Sequence, residues 1–257
     1  MDKKQRFVII SDVHGFYDEM MEALDKVNFN PETDCLISLG DNIDRGPKPA
    51  SVIKYLMSLP RKILVKGNHC QLFKELCERK FPYSYDNSNG TTRTVWQLGL
   101  SDDFQECCSI ALDRTKLFFN EMVNYFETKN YIFVHSWVPV INKDGLPAHY
   151  TRGRSFEFNP DWRNASDKEW EDSRWGNPFD MAEQGFNQTG KTIVFGHWAT
   201  EHKWAEIEGR ADFDKNAKFD IYYGDCIIGV DACTAYSGKV TALVLEDELL
   251  EDDYGNE

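Results

Sequence analysis

The chain has 257 residues, 41% of them hydrophobic and 14% aromatic, which is ample for a substantial core and unlike a disordered protein. Its formal charge of −14 excludes a broad basic face for stable nucleic-acid binding or for an anionic membrane, so a charged substrate has to be recognised locally. No run approaches the roughly 18 to 20 apolar residues of a membrane span, and MDKKQRFVII lacks the apolar region of a signal peptide; a cytoplasmic protein is expected.

FVIISDVHG (7–15) reads as a short buried strand that breaks into Asp12, His14 and a glycine. A helix with Met20, Met21, Leu24 and Val27 on its apolar face follows, ending before Asn28 and Pro31. CLISLGDNIDRG (35–46) repeats the pattern, with an apolar run, Gly40, Asp41, and then Asp44, Arg45 and Gly46. Pro47 and Pro49 are placed to open the helix ASVIKYLMSL. KILVKGNHC (62–70) is the third instance and delivers Asn68 and His69.

Residues 71–130 read as a mainly helical insertion, with Ser101 as a helix cap followed by two acids, and with FPYSYDNSNGTT (81–92) as an aromatic-bearing loop suited to specificity. YIFVHS (131–136) and KTIVFGH (191–197) end in His135 and His197. Between them, 137–190 reads as long loops and short helices. Residues 219–246 read as two or three antiparallel strands with a hairpin turn at Tyr236–Lys239, and 246–257 as a solvated acidic tail. The seven cysteines include no C-x-x-C pair, which fits reduced thiols better than a disulfide or zinc framework.

Asp12 and Asp41 are 29 residues apart, and Asp41 and Asn68 are 27 apart, each the length of a βαβ unit. Three parallel strands would then carry their polar residues out of one edge of a sheet, where open α/β sheets place their sites. A single polar turn after a strand is ordinary capping. Five of them, bringing four of the six histidines together with two aspartates and an asparagine, need a counter-charge if they converge in a low-dielectric interior. Carboxylate, imidazole and amide oxygen together suit manganese, iron or zinc, with enough ligands for two divalent metal ions sharing one carboxylate.

This ordered set, D-x-H-G, G-D-x-x-D-R-G, G-N-H, H-S and G-H across residues 7–197, resembles the calcineurin-like metallophosphoesterases, and within them the bacterial and phage serine/threonine phosphoprotein phosphatases. The resemblance implies an α/β fold: a metallophosphoesterase-type β-sandwich flanked by helices, one domain over 1–257, with metal ligands at the C-terminal ends of strands. It implies Asp12, His14 and Asp41 on a first metal, and Asp41, Asn68, His135 and His197 on a second. His69 would be the general acid, with Asp44 orienting it. Arg45 would bind substrate phosphate together with Asn68 and a second arginine, Arg174 or, behind it, Arg152. A metal-activated water would attack phosphorus in line, on a phosphorylated protein or a small phosphomonoester.

Symmetrical dinucleoside tetraphosphate hydrolysis is the alternative reading, with an adenine slot at 81–96 or Trp137, and an inactive phosphate-binding module is a third. The family's G-N-H-E ends here in Cys70, a departure that leaves the metal ligands intact but changes the network behind them and raises the expectation of an oxidation-sensitive thiol.

Overall fold

The computed structural model describes residues 4–143 and 156–250. Its strands are, in chain order, β1 (Gln5–Ile10), β2 (Cys35–Ser38), β3 (Lys62–Leu64), β4 (Phe126–Glu127), β5 (Tyr131–Phe133), β6 (Val140–Asn142), β7 (Phe156–Phe158), β8 (Thr192–Phe195), β9 (Tyr222–Gly224), β10 (Ile227–Gly229) and β11 (Leu243–Asp247). Its helices are α1 (Tyr17–Lys26), α2 (Pro49–Ser58), α3 (Asn68–Arg79), α4 (Ser84–Asn89), α5 (Thr91–Gly99), α6 (Phe104–Asn120), α7 (Asp167–Ser173), α8 (Pro178–Glu183), α9 (Thr200–Glu208) and the single turn α10 (Thr234–Ser237).

One sheet has the order β11-β1-β2-β3 and the other β4-β5-β8-β10-β9. β1, β2 and β3 are parallel, with Ile9 opposite Ile37 and Ile37 opposite Ile63, so they end in step as their spacing predicts. β5, β8 and β10 form a second parallel set, with Phe133 opposite Val194 and Val194 opposite Ile228.

Alternation along the strands decides which core each residue joins. Phe7 and Ile9 point inward to pack with Ile37, Phe133, Val194 and Ile228 between the sheets. Val8 and Ile10 point the other way, onto Met20 and Leu24 of α1 and Val52 and Leu56 of α2. The outer face of the second sheet, through Ile132, Ile193 and Phe195, carries Trp137, Trp162 and Phe179. This is the expected sandwich with helices outside. Each fully buried Ile or Val contributes about 1.5–3 kcal/mol, so the inter-sheet layer is a principal source of stability.

Several local expectations are corrected. Residues 84–89 and 91–92 are helical rather than a loop, since the Asp86 carboxylate accepts from Tyr83 N at the start of α4 and Gly90 adopts the left-handed turn into α5. Asp103, not Ser101, caps α6, its carboxylate accepting from Glu106 N at 2.8 Å. Tyr236–Lys239 is not a hairpin turn: α10 and its left-handed Gly238 carry the chain from one sheet to the other, where β11 pairs with β1. The antiparallel hairpin of this region is β9–β10. Asp247 belongs to β11 and is buried, accepting from Thr128 Oγ1 at 2.7 Å and Asn130 N at 2.8 Å, so it is not part of a solvated tail; residues 251–257 of the expected tail lie outside the described residues. Among the described residues no helix is long and apolar enough to cross a membrane.

The first turn of α9 buries Glu201, which accepts from Arg210 Nη2 at 2.8 Å, Phe213 N at 2.9 Å and Lys218 N at 2.6 Å and thereby ties the segment that follows α9 to that helix. Arg210 first, then the two backbone donors, bring its carboxyl down to about 2 against the opposing effect of burial. Glu201→Gln is expected to cost about 1.5–3 kcal/mol in urea denaturation. Because the folded value is depressed, this stabilisation is present above the ordinary carboxylate range and is lost as pH falls toward 2; the mutant's deficit should therefore shrink below about pH 4.

Candidate metal centre

Six of the functional side chains are carried on strained turns after their strands. Asp12, His14, Asp41, Asp44, Arg45 and His197 all have φ between 49° and 73°, the left-handed region that non-glycine residues seldom occupy. Clusters of such residues persist where surrounding contacts over-determine them. Here the loops touch: a Cβ at Gly67 would lie 2.0 Å from Asp41 Oδ1, and one at Gly196 would lie 1.7 Å from Ser11 Oγ. Neither position admits any other residue without displacing a site carboxylate.

The two sheets deliver their polar residues to one place. Asp41 Oδ2 is 3.8 Å from His14 Nε2, 3.8 Å from His69 Nε2 and 3.6 Å from His135 Nε2. Two donor sets that could each hold a cation share this carboxylate: His14, Asp41 and His69, and Asp41, His135 and His197. Asp12 lies beside the first set, its Oδ1 3.9 Å from His14 Nε2, while its Oδ2 accepts from Ser11 Oγ and from His197 N at 2.8 Å. His69 thus stands within ligand distance of the first set, a position that the motif reading reserves for a proton donor.

Backbone carbonyls fix the tautomers. His14 Nδ1 is 2.9 Å from Ile43 O and His135 Nδ1 is 2.8 Å from Leu39 O; a carbonyl only accepts, so both Nδ1 atoms carry hydrogen and both neutral rings present an Nε2 lone pair inward. His135 Nε2 then faces Asn68 Oδ1 at 2.9 Å, two acceptors converging on one point. A cation between them removes that repulsion, and the donor set fits a divalent metal.

The electrostatics agree. Burial raises the Asp12 carboxyl, and the charge of Asp41 adds to the effect. Asp41 is held below the usual range because His135, His69 and His14 outweigh its own burial. Burial, then His69 and Arg45, push His14 far down, and burial with His135 takes His197 to about 3. His69 moves upward, since Asp41 and the hydrogen bond from its Nδ1 to Asp44 Oδ2, 2.7 Å long, overcome its burial.

Arg45 is exposed at the rim, with Nη2 3.4 Å from His69 Nε2. Arg174 is buried at the end of α7, donating from Nη2 to Asn124 Oδ1 at 2.6 Å and leaving its Nε without a partner. Arg152 lies outside the described residues. Cys70 is half-buried, with its Sγ 3.7 Å from Met122 Sδ; burial and then Asp41 push its thiol up to about 12, which works against thiolate formation and so against the expected oxidation sensitivity. Trp137 is a core residue packed near Phe195 and offers no face to a base.

Two features escape a reading of the motifs. Asp231 follows β10 as His197 follows β8, and its buried carboxyl is raised well above the ordinary range by burial and by Asp12. IIGV before Asp231 is the same run-then-acid signal, obscured by reading the region as antiparallel strands. The second feature is the brace behind Asp44: Thr91 Oγ1 donates to Asp44 Oδ2 at 2.8 Å, Thr94 Oγ1 accepts from Asp44 N at 3.1 Å, and Asn89 O accepts from Arg45 N at 3.2 Å. Removing the Thr91 hydroxyl leaves a fully buried carboxylate short of a donor, so Thr91→Val should cost about 1–3 kcal/mol in urea denaturation and Thr91→Ser should recover most of it.

A family profile for the calcineurin-like phosphoesterases matches residues 5–225. Over 62 residues, 24% of this chain, the sequence is 48% identical to a symmetrical bis(5'-nucleosyl)-tetraphosphatase from Salmonella arizonae; the chain aligns with only 22% of that relative's length. The fold is similar to a cold-active protein tyrosine phosphatase, with a TM-score of 0.56 at 15% identity over 95% of this chain and 74% of that one. It is also similar to the cold-active protein-tyrosine phosphatase of a psychrophilic Shewanella, with a TM-score of 0.53 at 13% identity over 96% and 81% of the two chains. With its strand-end donors convergent and a family match over most of its length, the chain belongs to the calcineurin-like phosphoesterases, a family that uses divalent metal ions to hydrolyse phosphoric esters.

Proposed function

We propose that the protein is a dinuclear-metal phosphomonoesterase of the serine/threonine phosphoprotein phosphatase type. The observation that carries this reading is the sharing of Asp41 between two donor sets. Asp12, His14 and Asp41 would hold one divalent ion, and Asp41, Asn68, His135 and His197 the other. Bound there, the ions would supply Lewis acidity toward phosphoryl oxygens and a water acidified for in-line attack.

The chain's own groups do the rest. Arg45 and Arg174 bind phosphoryl oxygens as planar donors. Asn68 would add its amide N–H as a further donor to the phosphoryl group. His69 gives its Nε2 proton to the departing alkoxide, and Asp44 holds the ring by Nδ1 and favours its protonated form. This division of roles follows the hydrogen bonds of the imidazoles: His14 and His135 give their Nδ1 protons to backbone carbonyls and turn Nε2 inward, as suits ligands, whereas His69 is held at Nδ1 by the Asp44 carboxylate, as suits an acid.

The similarity to the Salmonella tetraphosphatase supports a second reading, symmetrical dinucleoside tetraphosphate hydrolysis. Burial of Trp137 removes one of the two base slots expected for it, while Phe81, Tyr83, Tyr85 and Trp96 keep exposed aromatic faces in the other.

Manganese-loaded protein should hydrolyse p-nitrophenyl phosphate in preference to its bis-ester, and a phosphoserine peptide in preference to diadenosine tetraphosphate; the reverse order in the second pair selects the tetraphosphatase. His69→Asn should lower kcat by about 10²–10⁴ on alkyl phosphates and far less on p-nitrophenyl phosphate, whose leaving group needs little protonation. Equal losses would remove His69 as the acid. Asp41→Asn should reduce bound metal from about two ions per chain, measured by elemental analysis, because the bridging ligand serves both sites.

A further inference from the structure

A groove of about 640 Å³ opens between α3, α6 and α7, and its wall includes Arg174 and Cys70, the residue that follows His69 in the chain. Gln71 in this wall links it to the metal residues through Trp175, whose Nε1 donates to Gln71 Oε1 at 3.2 Å and whose ring lies edge-on to His197 at 6.4 Å. In a chain of net charge −14, this groove collects Lys66, Lys74 and Lys116 beside Arg174. Lys66 and Lys116 make no ion pair among the described residues, and the Lys74 contact to Glu78 is a loose 3.9 Å. Arg174 is itself only 7% exposed, has no carboxylate within ion-pair distance among the described residues and keeps Nε unpartnered. A buried guanidinium in that state costs several kcal/mol unless an anion meets it.

Leu112, Phe119 and Met122 line the same groove, and Asp113, Asp167 and Glu171 also border it. These acids decide the class of ligand. A contiguous polyanion such as a tetraphosphate chain would lie against them along its length, whereas a peptide carries its charges several ångströms apart and alternates them with apolar side chains.

We infer that this groove seats the segment of a phosphorylated polypeptide flanking the phosphoresidue, with an apolar side chain on Leu112, Phe119 and Met122 and an acidic side chain among Lys66, Lys74 and Lys116. The inference rests on the phosphatase reading above and narrows its substrate to phosphopeptides with acidic and apolar neighbours.

The test compares kcat/KM of the manganese-loaded enzyme for a phosphoserine peptide bearing flanking Glu and Leu with that for a matched peptide bearing Gln and Ala. The ratio should be tenfold or more, fall toward one in Lys116→Glu and in Lys74→Glu, and stay high in Lys54→Glu, an exposed position on α2 away from the groove. A wild-type ratio near one, or a ratio indifferent to Lys116→Glu, overturns the groove assignment while turnover of p-nitrophenyl phosphate keeps the phosphatase reading intact. Loss of diadenosine tetraphosphate hydrolysis in Lys116→Glu with unaltered peptide kinetics overturns it as well. Should no divalent metal support turnover, the phosphatase reading fails by itself. Fluorescence anisotropy with the labelled acidic phosphopeptide then decides the groove, binding that Lys116→Glu abolishes supporting it and absence of binding overturning it.

Discussion

The Asp41 carboxylate, 98% buried and within 4 Å of three imidazole nitrogens, is the constraint on which the rest of the structure depends. Two parallel strand sets, one from each sheet, must end at the same depth for these groups to meet, and the inter-sheet layer of Phe7, Ile9, Ile37, Phe133, Val194 and Ile228 holds them there. Hydrogen bonds then lock the orientation: His69 N donates to Asp41 Oδ1 at 3.0 Å from the first turn of α3, and His135 Nδ1 from the second sheet donates to Leu39 O in the first. The free amides at a helix N-terminus favour an anion at that position. Apolar packing therefore supplies the stability and the polar contacts supply the geometry.

Concentrating acids and imidazoles in a low-dielectric interior is costly unless charge is balanced. Some of the balance is internal, since Asp41 is stabilised by its histidines. The remainder is visible as imbalance: Asp12 and Asp231 are both pushed upward, and His135 Nε2 and Asn68 Oδ1 present lone pairs to each other. A site built this way gains most from divalent cations and least from an apolar replacement, which is why its chemistry follows from its electrostatics. Left-handed backbone at six of its residues is the conformational counterpart of the same pre-organisation.

The insertion of α3 to α6 does two things with one set of helices. On one side, Thr91 and Thr94 of α5 hold Asp44, and the turn at Asn89 and Gly90 presses on Arg45, so the helices brace the residues that would handle the proton and the phosphate. On the other side, α3 and α6 form a wall of the groove that meets Arg174. In the proposed reading, substrate choice and catalytic geometry would be carried by the same packed unit, whose interior is Phe73, Leu76, Cys77, Val95, Cys107 and Ala111.

Much of this was legible in the amino-acid order. Short apolar runs ending in glycine and a metal-type ligand, at intervals of 29 and 27 residues, determine the parallel strands, their shared edge and the candidate ligands Asp12, His14, Asp41, Asn68, His135 and His197, because burial and strand length act locally on each run. Pairings between distant segments were decided only by the tertiary structure. The crossing of β11 to β1, the brace from Thr91 to Asp44, the charge coupling of Asp231 to Asp12 and the seating of the Cys70 thiol against Met122 depend on contacts made across the fold, and no periodicity encodes which of many polar residues will be brought together. Local pattern determined what each strand end offers; long-range packing decided which offers meet.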